Sequence, residues 1–227
     1  MPIAILFDLD GTLVNSDPIH YKAWQEILRD YGLEIDEAFY KTHISGRLNP
    51  VIIQDILPQL SLADGHQLAV EKEARFRELG PKLRPLPGLS EVLGWTDELG
   101  LKRAVVTNAP RLNAQFMLSV LGLTDTFPIV VLGEDTVAGK PDPAPYQLAL
   151  RELGIGPESA IAFEDSPSGI RSSVGAGICT IGIASTHHPE NLCKAGAVLA
   201  VPDFTAKPLW SWLLSRTSAS TTSSRGS

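Results

Sequence analysis

Apolar residues fall along this chain in short, unbroken runs. Ile3-Ala4-Ile5-Leu6-Phe7 shows no alternation, the pattern of a strand buried on both faces, as in a parallel sheet. Similar runs recur at residues 103–107, 129–132, 160–163, 179–183 and 198–201. Stretches with helical spacing lie between several of them, at 90–98, 113–121, 145–153 and 168–174. Gly100, Gly122, Gly154 and Gly175 follow these stretches, where a helix wants a C-terminal cap. Alternation of strand and helix predicts an α/β fold built on a doubly wound parallel sheet.

One stretch breaks the alternation. From about residue 16 to residue 84 the spacing is helical throughout. Asp17-Pro18 reads as a helix start, with Asp as N-cap and Pro at the first helical position. His20, Trp24, Ile27, Leu28 and Tyr31 then form one stripe that stops at Gly32, and a second amphipathic helix is predicted from about His66 to Leu79. Arg84-Pro85-Leu86-Pro87-Gly88 reads as a stiff return linker. The expected organisation is a Rossmann-like core over 1–15 and 86–215, an inserted small helical cap over 16–85, and a Ser/Thr-rich flexible tail over 216–227.

Composition narrows the class. The chain has 227 residues, is 44% hydrophobic and 20% charged, and carries a formal net charge of -7, which suits an enzyme with a real core and argues against a nucleic-acid binder. No signal peptide is visible and no apolar stretch reaches about 18 residues, so the expectation is a cytoplasmic protein with no membrane partner. Cys179 and Cys193 fit neither a metal spacing nor a disulfide framework and read as reduced structural thiols.

Polar clusters close the apolar runs. Asp8-Leu9-Asp10-Gly11-Thr12 follows the first strand directly, and ligands in such sheets bind at the carboxyl ends of strands. Residues two apart in extended backbone point to one side, so Asp8 and Asp10 face one pocket. A neighbouring cation can keep Asp8 ionised while Asp10 exchanges a proton, giving a nucleophile and a general acid/base. The same acids could instead form a turn or a helix cap. Thr107-Asn108 offers a hydroxyl and an amide to phosphate oxygens, or merely starts a loop. Lys140, between Gly139 and Pro141, is either a fixed cation or a solvated one. Glu164-Asp165 supplies hard oxygen ligands suited to Mg²⁺, or surface charge before Pro167.

These clusters occur in the order of the motifs of the haloacid-dehalogenase-like superfamily, which the chain resembles over nearly its whole length. The resemblance implies that Asp8 attacks phosphorus and that Asp10 protonates the leaving oxygen and then activates water. It further implies that Thr107, Asn108 and Lys140 bind the phosphoryl group. Mg²⁺ is expected on Asp8, the Asp10 main-chain carbonyl, Asp165 and Glu164, the last either directly or through water.

Within the superfamily the chain looks closest to the β-phosphoglucomutase-like branch, and there to the plant-type broad-range sugar phosphatase. Segments carrying that likeness include Ser16-Asp17-Pro18-Ile19-His20 and Phe163-Glu164-Asp165-Ser166. The implied activity is hydrolysis of pentose and hexose phosphates, with a sugar-phosphate mutase as the alternative. Lys72 falls where the mutase carries a cap lysine and sits on the apolar stripe of Leu68, Phe76 and Leu79, but it could instead be a lysine snorkelling over the core. The mutase's Lys-Gly pair is missing from Ser45-Gly46-Arg47-Leu48-Asn49, and Thr107-Asn108 replaces its Ser-Ala-Ser, so the departures favour a phosphatase. His20, Gly46, Arg47, Asn49 and Lys72 are the candidate cap residues for substrate, with His20 alternatively a packed core histidine. A monomer is expected, because the cap needs freedom to move.

Overall fold

The structure is a computed structural model that describes residues 2–45 and 47–217. Its contacts divide the chain into two compact units. One is Ser16–Leu83; the other is formed by the chain on either side of it, rejoining at Asn15 and Arg84.

The second of these units carries six strands: β1 (Ala4–Phe7), β2 (Lys102–Thr107), β3 (Ile129–Leu132), β4 (Ala160–Glu164), β5 (Cys179–Ile183) and β6 (Leu199–Val201). All pair in parallel, in the order β3-β2-β1-β4-β5-β6. This is the doubly wound α/β sheet that the unbroken apolar runs predict. Every residue of β1 and β4 is buried, because helices cover both faces. Phe7 stacks on Phe163 of the neighbouring strand at 5.4 Å, and Phe204 meets Phe163 edge-on at 5.2 Å. Burial of each such side chain stabilises the fold by about 1.5–3 kcal/mol.

Helices α5 (Leu89–Glu98), α6 (Arg111–Val120), α7 (Ala144–Leu153), α8 (Pro167–Gly175), α9 (Pro189–Ala195) and α10 (Lys207–Thr217) belong to the same unit. The last two were not expected from spacing. α9 has a single buried residue, Leu192, so it shows little periodicity. α10 includes Arg216 and Thr217, where the sequence predicts a tail; residues 218–227 lie outside those described. The cap position expected at Gly175 is also shifted. α8 runs through Gly175, and Gly177, at φ 84°, turns the chain toward β5.

The helical unit holds α1 (Asp17–Arg29), α2 (Glu37–His43), α3 (Asn49–Ile56) and α4 (Leu62–Leu79). Ser16, not Asp17, is the N-cap of α1, and Pro18 is the second helical residue. Asp17 instead accepts hydrogen bonds from Tyr40 at 2.6 Å and Ser45 at 3.3 Å, tying α1 to α2 and the turn after it. Of the α1 stripe, Trp24, Ile27 and Leu28 are buried, whereas Tyr31 is exposed beyond the helix end. α4 begins four residues before His66, because Ser61 caps it through the N–H of Asp64 at 3.1 Å.

Candidate active site

The order of strands reverses about β1 and β4, the switch point at which open α/β sheets bind ligands. Asp8 follows β1 directly, with its N–H donating to the Phe163 carbonyl at 3.0 Å, and Glu164 ends β4 with Asp165 next to it. Asp8, Glu164 and Asp165 are all buried, with one donor atom from each lying within 4.8 Å of the others. Lys140, from the loop between β3 and α7, reaches into this group. Its ammonium donates to Asp8 Oδ1 at 2.7 Å, Glu164 Oε1 at 2.6 Å and the Val106 carbonyl at 2.7 Å. Lys140 is therefore a fixed, buried cation rather than a solvated one.

The electrostatics follow from burial. Asp8 is pushed up to about 7, chiefly by desolvation; Lys140 opposes the shift, and Glu164 and Asp10 add to it. Asp165 is held well above the usual carboxylate range by burial and then by Asp8 and Glu164. Burial alone would lower Lys140, but Asp8 and Glu164 outweigh it and raise the ammonium above an ordinary lysine. Tyr146 on α7 donates its hydroxyl to Glu164 Oε1 at 2.6 Å, and burial together with Glu164 raises its phenol well above the normal value. Tyr146 has no sequence signal, since on α7 it is one more residue of the buried face.

The donor set fits a hard divalent cation. Three buried carboxylates face one ammonium, and Glu164 Oε2 is buried with no hydrogen-bond partner. Gly169 makes room for that oxygen, since a Cβ there would stand 1.8 Å from it. A metal ion would neutralise the excess charge and occupy the orphaned oxygen.

Thr107 ends β2, is 1% exposed, and accepts from the Ala109 N–H at 3.0 Å, which leaves its hydroxyl proton to give. Asn108 is exposed, and both ends of its amide meet the backbone of Lys140. Its Nδ2 donates to the Lys140 carbonyl at 3.0 Å, and its Oδ1 accepts from the Lys140 N–H at 2.9 Å. The side chain thus fastens the lysine loop to the end of β2. Asp10 sits in the turn that closes with Gly11 N–H on the Val14 carbonyl at 2.7 Å, close enough for its charge to act on Asp8.

The candidate residues of the helical unit form two groups. Lys72 is buried on α4 between Leu68 and Phe76, and its ammonium lies 2.7 Å from His20 Nδ1 and 2.9 Å from Glu73 Oε1. It does not snorkel; the head group is held inside. Asn49 donates to the same Glu73 oxygen at 2.6 Å, and His20 stacks on Phe76 at 4.1 Å. Burial would raise Glu73, but Lys72 and His20 outweigh it and hold it below the ordinary glutamate value. Arg47 stands apart, bound to Asp55 and to the His43 carbonyl. Gly46 lies outside the described residues. The sequence reading missed Glu73, although it adjoins the lysine that the apolar stripe singled out.

Removing Glu73 takes from the buried Lys72 ammonium the carboxylate it contacts at 2.9 Å. Glu73→Ala is expected to destabilise the protein by about 3 kcal/mol, and the double variant Lys72→Met/Glu73→Leu to recover most of the loss. Chemical denaturation reads both values. A single variant as stable as wild type would mean that the pair carries no buried charge.

The sheet order, the acids at the ends of β1 and β4, and the lysine between them define the class. The chain belongs to the haloacid dehalogenase-like hydrolase family, which matches residues 5–183. It is 32% identical over 196 residues to the validoxylamine A 7'-phosphate phosphatase of Streptomyces hygroscopicus subsp. limoneus, an alignment covering 86% of this chain and 91% of that one. It is equally 32% identical over 205 residues to the phosphorylated carbohydrates phosphatase of Thermotoga maritima, covering 87% and 93%. The crystal structure of CbbY from Rhodobacter sphaeroides in complex with phosphate superposes with a TM-score of 0.75 at 29% identity, over 90% of this chain and 95% of that one. Among the described residues no helix is long and apolar enough to cross a membrane.

Proposed function

We propose that the protein is a Mg²⁺-dependent phosphatase of small sugar phosphates, pentose and hexose phosphates, that works through an aspartyl phosphate on Asp8. The observation that carries the reading is the bridge made by Lys140 between Asp8 and Glu164, inside a buried acidic cluster that Asp165 completes. The names of the relatives support the substrate class.

In this reading an Asp8 oxygen attacks phosphorus while the bond from phosphorus to the sugar oxygen breaks. Asp10 gives its proton to that leaving oxygen. Asp10 then takes a proton from water, whose oxygen attacks the acyl phosphate and returns Asp8 with inorganic phosphate. Lys140 favours the ionised form of Asp8 against the effect of burial and attracts the phosphoryl oxygens, which otherwise repel a carboxylate nucleophile. The Thr107 hydroxyl donates to a phosphoryl oxygen, and Asn108 contributes by holding Lys140 in place. Mg²⁺, held by Asp8, Asp165, the Asp10 main-chain carbonyl and Glu164, would supply further positive charge to the transferring group.

Two features favour a monophosphate over the bisphosphate chemistry of a mutase. Arg47 is paired with Asp55, and Lys72 with Glu73, so the charge of each cation is already met. The same proposal includes an inserted cap that selects the sugar, and a monomeric cytoplasmic enzyme with no nucleic-acid partner.

Ribose 5-phosphate or a hexose 6-phosphate is expected to release inorganic phosphate without a bisphosphate activator. EDTA is expected to stop the release and Mg²⁺ to restore it. The contrary result comes from β-glucose 1-phosphate with catalytic glucose 1,6-bisphosphate: isomerisation far outrunning phosphate release would establish the mutase.

A further inference from the structure

Asp165 is held by a loop to which no sequence motif points. The chain leaves β5 through Ala184 into Ser185-Thr186-His187. The Thr186 hydroxyl donates to Asp165 Oδ2 in a short contact, and its oxygen lies 3.4 Å from the Asp165 carbonyl and 2.9 Å from His187 Nδ1. A hydroxyl has one proton. Given to the carboxylate, it leaves only lone pairs toward His187, so the imidazole is the donor through Nδ1–H. The order of donation is then His187 to Thr186 to Asp165.

The same loop grips the turn that follows Asp8. The Ser185 hydroxyl donates to the Gly11 carbonyl. Gly11 has φ 79°, and a Cβ there would lie 2.1 Å from Asp165 Oδ2 and 3.0 Å from the Thr186 methyl. Only glycine lets the acid, the threonine and the turn close on one another.

We propose that Thr186 is a positioning residue for the metal site: by occupying Asp165 Oδ2, it turns the other carboxylate oxygen toward Asp8 and Glu164, where a divalent cation is held. The proposal rests on the metal reading given above. Thr186 is itself exposed, so its hydroxyl is not part of the buried core and its main effect is on the acid.

Mn²⁺ tests this without substrate, since it takes oxygen ligands and its free concentration is read by electron paramagnetic resonance. Titration of the full chain is expected to give Thr186→Val a dissociation constant about 10–100-fold weaker than wild type, and Thr186→Ser one within about twofold. Under EDTA the melting temperature of Thr186→Val is expected to stay within about 2 °C of wild type. Equal Mn²⁺ affinity in Thr186→Val and wild type overturns the positioning role, as does Thr186→Ser binding as weakly as Thr186→Val. Weak binding accompanied by a large fall in the melting temperature under EDTA overturns it too, since Thr186 would then be an anchor of the loop. No uptake by the wild type would instead sink the metal reading, and the positioning role with it.

Discussion

Asp8→Asn is expected to abolish turnover and at the same time make the chelated protein more stable. An amide is a poor nucleophile, so steady-state release of phosphate should fall by at least about a thousandfold. The stability gain follows from the crowding around Asp8. Burial and the neighbouring Glu164 and Asp10 already push its carboxyl up to about 7, against the pull of Lys140. Asn keeps an oxygen that can accept from Lys140 but removes one negative charge from the buried cluster. A gain of about 1 kcal/mol would raise the melting temperature by about 2–4 °C. Activity loss with unchanged or lowered stability under EDTA would argue that the acids do not repel one another. Retained turnover would remove Asp8 as the nucleophile.

Lys140→Met is expected to cost both stability and activity, by a different route. Without the ammonium, Asp8 and Glu164 lose the cation that each contacts at 2.7 Å and 2.6 Å, and Asp165 remains beside them. Breaking a buried pair by removing one partner costs about 3–5 kcal/mol. In a chain of this size that corresponds to a fall in melting temperature on the order of 10 °C under EDTA. Divalent metal should recover part of the loss, because the remaining carboxylates attract it more strongly. Turnover is expected to fall by a factor of about 10² or more even with metal present. A variant that melts like the wild type under EDTA would show that the lysine does not neutralise the cluster.

The sheet was legible because its strands are buried on both faces. Ala4 to Phe7 are apolar at every position and fully buried, whereas the apolar Ile3 just before them is exposed, and the acids that follow the run stand out against it. The residues that support those acids were not legible, because their signals are ordinary. Tyr146 reads as one more apolar position on α7, yet its hydroxyl ends on Glu164. Thr186 follows an unremarkable strand end and reaches Asp165 across 21 residues of chain. Asn108 was visible as a polar residue after β2, but which groups its amide would meet depends on where the Lys140 loop comes to lie, which local spacing does not encode. In the helical unit, the sequence marked Lys72 because it breaks an apolar stripe. Its partner Glu73 stayed hidden, since a glutamate on a helix is normally solvated.

The Asn108 clasp also constrains what this chain can become. Gly133 and Gly139 flank it so closely that a Cβ would stand 2.6 Å and 2.7 Å, respectively, from Asn108 Oδ1. Positions 108, 133 and 139 therefore form one heritable unit. A descendant that gains a side chain at either glycine must give up the asparagine or find another way to hold the lysine loop. Randomising any one of these positions alone, in a library meant to retune the enzyme, samples mostly broken clasps, whereas varying all three together opens alternatives that single steps cannot reach.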